Sequence, residues 1–370
     1  VTKYSYFSIS AISLQVGRIA VIAASSIYIL VNPKTVNTSI NSIAIAAEPD
    51  AATVIYVNPE TGIDNGNTGT TPYKTISYAL NQVKSDTVIQ LAPGTYSKES
   101  GEIFPLVLKP GVTLRGDTST RGQGILINGG GDYMSRFFAK QSTSIITDDK
   151  TVITGVTVTN PNQRGTGVWV ESTNPIIANN TFIKSLREGV FVTGTGNPQI
   201  INNTFQDNAA NGISITNSAQ GEIRNNLFQH TGFGLAIGGE SKPLVTDNTI
   251  TQNQDGIFIS EAAKPVLRKN LIKNNRRDGI VVTINALPDI GNNGDLGQNV
   301  IHDNGLYDFD DSTQKHKVVS IGNDIGKVRG SKQNVSKSIT TKQSSSKQKI
   351  SKSITTKHKG VKAKKKPHFQ

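Results

Sequence analysis

From residue 165 to residue 300, apolar side chains recur at every second position in short runs, and glycine, proline or asparagine breaks each run. Period two puts alternate side chains on opposite faces of a strand, and no run is long or regular enough for a helix. Val168 and Val170 fall on one face with Trp169 between them on the other. The same alternation turns Val190 and Val192, Ile213 and Ile215, Leu235 and Ile237, Ile257 and Ile259, and Ile280 and Val282 inward. A second run follows Pro175, Pro198, Gly221, Pro243, Pro265 and Pro288 and turns Ile177, Ile200, Ile223, Val245, Leu267 and Ile290 inward. A third follows Asn180, Asn203, Asn226, Asn248 and Asn270 and does the same with Phe182, Phe205, Phe228, Ile250 and Ile272.

These markers keep one register. Gly167, Gly189, Gly212, Gly234, Gly256 and Gly279 are spaced by 22, 23, 22, 22 and 23 residues; the asparagines are spaced by 23, 23, 22 and 22, with Asn299 a further 29 on. A fixed period of this length signals a solenoid, in which like residues of successive coils align in columns about 4.8 Å apart. Several buried apolar side chains per coil, at about 1.5–3 kcal/mol each, hold such a stack together without a globular core. The asparagines fit the same picture: an unpartnered buried amide costs about 1–3 kcal/mol, whereas in a column each amide bonds its neighbour and the turn backbone. A leucine-rich repeat of similar period demands several leucines per unit, which this chain lacks.

Upstream, Ile76, Ala79, Leu80 and Val83 have helical spacing, so residues 73–83 predict a short amphipathic helix that caps the first coil. Strands are predicted over 87–91, 106–108, 112–115, 125–127 and 152–159, separated by turns such as Pro93-Gly94 and Pro110-Gly111. The asparagine ladder and the 22- to 23-residue coils resemble the right-handed parallel β-helix of the pectate-lyase-like superfamily. Tyr56, Val57, Asn58, the stretch from Asp64 to Ile76, Pro93 to Tyr96 and Gly111 to Gly116 resemble an exported bacterial family, domain-of-unknown-function family fifteen sixty-five, over roughly residues 53–310. The resemblance implies an all-β, right-handed parallel β-helix and leaves the activity open, because fold alone does not fix chemistry.

Composition changes the picture at the two ends. The 370 residues include no cysteine, 35 glycines and 35% hydrophobic residues, which excludes collagenous, disulfide-stapled and multi-span membrane proteins. Lys and Arg number 39 against 27 Asp and Glu, a net charge of +12 that taken whole suggests a nucleic-acid binder. Fourteen of those cations lie in residues 327–370 with no acid, so residues 1–326 carry 39 − 14 = 25 positive and 27 negative side chains, a balance of −2. The body is therefore not a specific nucleic-acid binder. The tail repeats Ser336–Lys342 at 351–357 and is too polar to fold, so it reads as a disordered Lys-rich tether to an anionic polymer or as a solvated appendage. At the other end, Lys3 and Arg18 precede an uncharged run over 19–31 and small residues at 44–47, the order of an export signal. The expected organisation is a signal peptide or retained anchor at 1–47, a β-helix at 48–326 and the tail at 327–370, in a monomer located in the periplasm, at the cell surface or outside the cell.

For chemistry, no histidine constellation of the polygalacturonase type and no Asp-Pro-His-Asp sequence is present. One column just before the recurrent glycine holds Thr166, Glu188, Asn211, Phe233, Asp255 and Asp278. Asp255 and Asp278 fall on adjacent coils with Cα atoms about 5 Å apart, where one carboxyl is raised in pKa or a cation is captured. Carboxyl oxygens about 5–5.5 Å apart also suit a retaining glycosidase. Arg277 beside Asp278 could neutralise a uronate carboxylate or abstract its activated ring proton; turn capping and surface ion pairs are the alternative for all three. Trp169 and Phe191, with Phe258 three coils on, take the outward position and suggest a stepped aromatic surface for sugar rings, bordered by Glu171, Arg187 and Glu188. A loop over these rings would make them ordinary packing. Asp64, Asn65 and Asn67, and Asp289, Asn292, Asn293 and Asp295, are oxygen-rich enough for Ca2+, but glycine-rich turns account for them equally, and no cofactor or metal is assigned. The functional expectation is an exported protein that binds carbohydrate on its lateral face, an acidic polysaccharide or cell-envelope glycan, with a polysaccharide lyase or glycoside hydrolase as one alternative and a passive envelope or matrix protein as the other.

Overall fold

The computed structural model describes residues 53–65, 71–313 and 318–330. The expected export signal, Asn67 and the chain beyond Gly330 lie outside these residues. Among the described residues the strands form three sheets of 9, 10 and 11 strands, parallel except for one antiparallel strand off the path of the third, and each regular coil adds one strand to each sheet. Hydrogen bonding therefore joins strands a full coil apart in sequence.

The registers follow the sequence markers. In the first sheet Ile177 pairs with Ile200, Ile200 with Ile223, Ile223 with Val245 and Val245 with Leu267. In the second, Phe182, Phe205, Phe228, Ile250 and Ile272 form one column. All of these side chains are buried. The rings of Phe182, Phe205 and Phe228 stack with centroids 5.0 and 4.8 Å apart, close to the strand spacing that imposes the stack. The same column explains the recurrent glycine of the third sheet: a Cβ at Gly212 would lie 2.5 Å from the Phe228 ring.

Both corners flanking the second sheet use a residue with positive φ followed by a hydrogen-bonding side chain. At the first corner, Asn179, Asn202, Asn225, Asp247 and Lys269 have φ of 55–57°, a conformation that asparagine and aspartate tolerate better than most residues. The next residues form the expected ladder, which continues beyond Asn299 to Asn323. Each amide nitrogen donates to the next asparagine's Oδ1 at 2.8–3.1 Å and to a backbone carbonyl one coil back. A second ladder, not expected from the sequence, occupies the other corner through Ser185, Asn208, Thr231, Asn253, Asn275 and Asn304.

The helix spans Ile76–Gln82 with Ile76, Ala79 and Leu80 buried. Thr75 caps it by accepting from the Tyr78 N–H, and the buried Glu102 carboxylate accepts from the Ile76 and Ser77 N–H groups at 2.6 and 2.9 Å. No helix among the described residues is long and apolar enough to cross a membrane. Three expectations change. Residues 152–159 form two strands, Val152–Thr154 and Thr157–Thr159, because Gly155 at φ 71° turns the corner between them. An antiparallel hairpin of Gly131–Met134 and Lys140–Ile146 interrupts the repeat. The solenoid also runs past residue 326: Val328–Arg329 pairs with Phe309–Thr313, and the Lys327 N–H donates to Asp308 at 2.7 Å.

Arg329 clamps the buried Asp310 carboxylate with both its Nε and Nη2, and the cationic ends of Lys327 and Arg329 each lie 4.7 Å from the Tyr307 ring centre. Residues 327–330 thus belong to the last coil and not to the tail. Ending the chain after Gly330 is expected to leave the melting temperature unchanged, whereas ending it after Gly326 lowers it by orphaning Asp310. Thermal unfolding of the two truncations, followed by circular dichroism, checks this.

Candidate functional site

Every residue singled out for binding or catalysis lies on or beside the outward face of the third sheet. Trp169, Phe191, Ser214, Ala236, Phe258 and Val281 pair successively in one column, and Glu188, Asn211, Phe233 and Asp255 in a neighbouring one. The structure divides them into a covered group and an open group.

The covered group lies under the hairpin. Trp169 is fully buried and Phe191 is 6% exposed, which corrects the expectation of an open aromatic surface. Both rings do face away from the solenoid core and stack at 4.4 Å, but Tyr133 and Phe138 of the hairpin segment pack edge-on against them. Glu171 is likewise consumed. Its carboxylate accepts from Trp169 Nε1 at 2.9 Å, Ser135 Oγ at 2.6 Å and the Arg136 N–H at 2.9 Å, so it latches the hairpin tip. Burial pushes the Glu171 carboxyl up, and the donors Ser135, Trp169, Arg136 and Tyr133 together bring it below the ordinary range. Glu188 accepts from Thr166 Oγ1 at 2.8 Å and pairs with Arg187 at 3.0 Å, while Arg187 also donates to Gln141 at 2.7 Å. Burial raises the Glu188 carboxyl, with Arg187 and Thr166 opposing.

The open group lies about three coils further on. Asp255 is fully buried and accepts from Arg277 Nε at 3.1 Å, Arg277 Nη2 at 2.7 Å and the Asp278 N–H at 3.0 Å. Asp278 accepts from the Tyr307 N–H at 3.0 Å, and its carboxyl is raised by burial first and by Asp255 and Asp310 as well. The two carboxylates do sit on successive coils, yet both are engaged with their surroundings. They form neither a free acid–base pair nor a cation cage, which corrects that expectation. Arg277 is the accessible member, with about half its side chain exposed and a guanidinium oriented by the fork beneath it. Beside it, Phe258 stacks on Phe233 at 5.0 Å, and both rings are partly exposed.

The oxygen-rich loops have other roles. Asp64 accepts from Thr75 Oγ1 and from the Lys74 and Thr75 N–H groups at the start of the helix. Asp289 and Asp295 both pair with Arg268 at 2.8 Å.

A notch not expected from the sequence lies at the corner between the second and third sheets, lined by Asp207, His230, Gly232, Gln252, Gln254 and Arg276. The signal was present in the two sets of markers. From ladder asparagine to recurrent glycine the separations are 9, 9, 8, 8 and 9 residues, so two consecutive coils turn this corner one residue short. The steps of 22 and 23 between glycines do not by themselves show where the missing residue falls.

No curated protein matches the chain in sequence. Among solved structures, XylC in complex with xylose is similar with a TM-score of 0.51 at 12% identity, over 73% of this chain and 68% of that one. Pectate lyase Pel9A aligns with a TM-score of 0.47 at 14% identity, over 77% and 80%. A polygalacturonase from Erwinia carotovora ssp. carotovora aligns with a TM-score of 0.41 at 14% identity, over 74% and 84%. Likeness at such identity concerns the fold alone, a parallel β-helix. The match of residues 60–332 to the family described as "Protein of unknown function (DUF1565)" covers most of the chain, and the protein belongs to that family.

Proposed function

We propose that this protein is exported and binds an acidic polysaccharide along the open part of the third sheet, as a monomer whose folded domain runs to Gly330. The basic segment beyond it serves as a salt-sensitive contact with an anionic polymer, and residues 1–47 serve as signal or anchor. The observation that carries the binding role is the Arg277 guanidinium, held outward by the buried Asp255 beside the stacked Phe233 and Phe258 rings. Asp255 takes the Nε hydrogen and one Nη2 hydrogen, so the Nη1 and remaining Nη2 hydrogens present a pre-oriented end-on fork that matches a planar carboxylate, and neighbouring aromatic carbon suits the apolar faces of a sugar. Binding is favoured over cleavage because Asp255 is enclosed and Asp278 is hydrogen-bonded, which leaves neither placed to exchange a proton with a ligand.

The test is a glycan array on the full chain, followed on each hit by assays for new reducing ends and unsaturated uronates. Binding without turnover is expected. Arg277→Lys keeps a cation for Asp255 while removing the planar fork, so it should weaken acidic-glycan binding about tenfold, the loss of one charge-assisted hydrogen bond. A full chain that retains no acidic glycan at low salt overturns the reading, and turnover would replace binding with catalysis.

A further inference from the structure

The notch between the second and third sheets has a definite cause and size. Asn208 to Gly212 and Asn275 to Gly279 are four residues apart, whereas Thr231 to Gly234 and Asn253 to Gly256 are three. Two short corners lie between two long ones, so the surface is recessed over two coils, about 10 Å along the solenoid axis. The cleft measures about 390 Å³, near the lower end of the roughly 300–1,000 Å³ typical of small-ligand sites. It has room for one sugar-sized ring rather than for a chain segment.

Its lining is polar and dominated by donors. Arg276 stands on the wall made by the longer coil, and its side chain has no ion pair or hydrogen bond among the described residues. Gln252 and Gln254 also make no side-chain hydrogen bond among the described residues. Across from them, His230 Nδ1 lies 3.7 Å from Asp207 Oδ1, and Asp207 Oδ2 is steadied by Gln206 Nε2 at 3.1 Å. A neutral ring would leave the Arg276 fork unanswered, and a cationic one would be repelled by it. A ligand with one carboxylate and several hydroxyls satisfies both sides, because Arg276 takes the carboxylate and Asp207 accepts from hydroxyls while the glutamines and His230 supply further polar contacts.

We propose that this notch is a binding site for a hydroxylated carboxylate, the chemistry of a single uronic acid unit, with Arg276 as its carboxylate contact. It deepens the carbohydrate reading, on which it rests for the sugar part of the ligand, and adds a site one corner away from Arg277. The unit could be a free acid sugar or one residue of a polymer.

The test uses the full chain and follows the His230 ring by NMR during titration with galacturonate, glucuronate, galactose and trigalacturonate, with His230→Gln assigning the resonance. One or both uronates should shift the His230 signal saturably, galactose should not, and Arg276→Gln should weaken uronate binding at least tenfold without unfolding a solvent-facing corner. Trigalacturonate binding tenfold tighter than the monomer would identify a polymer residue as the ligand, and equal affinity a free acid sugar. Equal responses to galactose and the uronates, or uronate binding unchanged in Arg276→Gln, would overturn the notch. If Arg277→Lys alone weakens glycan binding, the open face stands and the notch fails. If Arg276-dependent uronate binding appears while the array finds no polymer, the notch stands and the polysaccharide reading fails.

Discussion

Trp169→Ala is expected to destabilise the protein by about 3–5 kcal/mol, the range for truncating a large buried aromatic side chain. The ring is fully enclosed, stacked on Phe191 and contacted by Tyr133 and Phe138, so its removal leaves a cavity beneath the hairpin and takes one donor from Glu171. Collapse of the hairpin into the space would place the cost at the lower end. Urea unfolding of wild type and variant measures it, and a loss below about 1 kcal/mol would show that the hairpin does not depend on the ring. The latch also has a pH signature. Glu171 has a folded pKa below its ordinary value, so its contribution is present above the unfolded carboxylate pKa and is lost as pH falls through the folded value. Because Trp169 is the only tryptophan, its quenching by acrylamide should rise over that acidic window, and Glu171→Gln should raise it already at neutral pH.

Asn226→Leu should cost about 2–6 kcal/mol although it is close in size and more apolar, because it strands two or more buried backbone groups at about 1–3 kcal/mol each. Asn226 Oδ1 accepts from the Asn203 N–H and Nδ2, and Asn226 Nδ2 donates to the Ile200 carbonyl and Asn248 Oδ1. Leucine leaves the Asn203 N–H and the Ile200 carbonyl without those partners. Asn225→Gly, one residue earlier at φ 56°, should be close to neutral because glycine adopts that conformation without strain. Chemical denaturation of the pair separates ladder chemistry from corner geometry, and equal effects would argue against the ladder as the source.

The register of the coils was legible because glycine, proline and asparagine each mark it independently, and agreement among three markers leaves one alignment. The first ladder was legible because one residue type fills it. The second was not, because Ser185 and Thr231 share its positions with asparagines and a search for one residue type passes over it. Period two correctly placed Trp169 and Phe191 outward, but outward is not exposed: the covering residues lie in 131–146, outside the repeat and without its period. The Asp255–Arg277 contact follows from a one-coil step of 22, so it was readable once the register was known. The adjacency of Asp255 and Asp278 follows from the register, whereas their chemistry does not, because their partners, the Arg277 fork and the Tyr307 N–H, depend on side-chain direction and on the next coil.

Ladders that pass the same bonds from coil to coil have a genetic consequence. Removing residues 204–226 in frame would bring Asn203 against Asn248 and Phe182 against Phe228, with every marker still in step. Unequal recombination at such a repeat can therefore lengthen or shorten the gene by one coil without a frameshift and without breaking the stack. The hairpin coil and the two coils with short corners are different, since each occurs at a single place and its loss would delete the feature it carries. Among homologues, this predicts variation in coil number concentrated away from those coils, with the interchangeable coils serving as the record of past duplications.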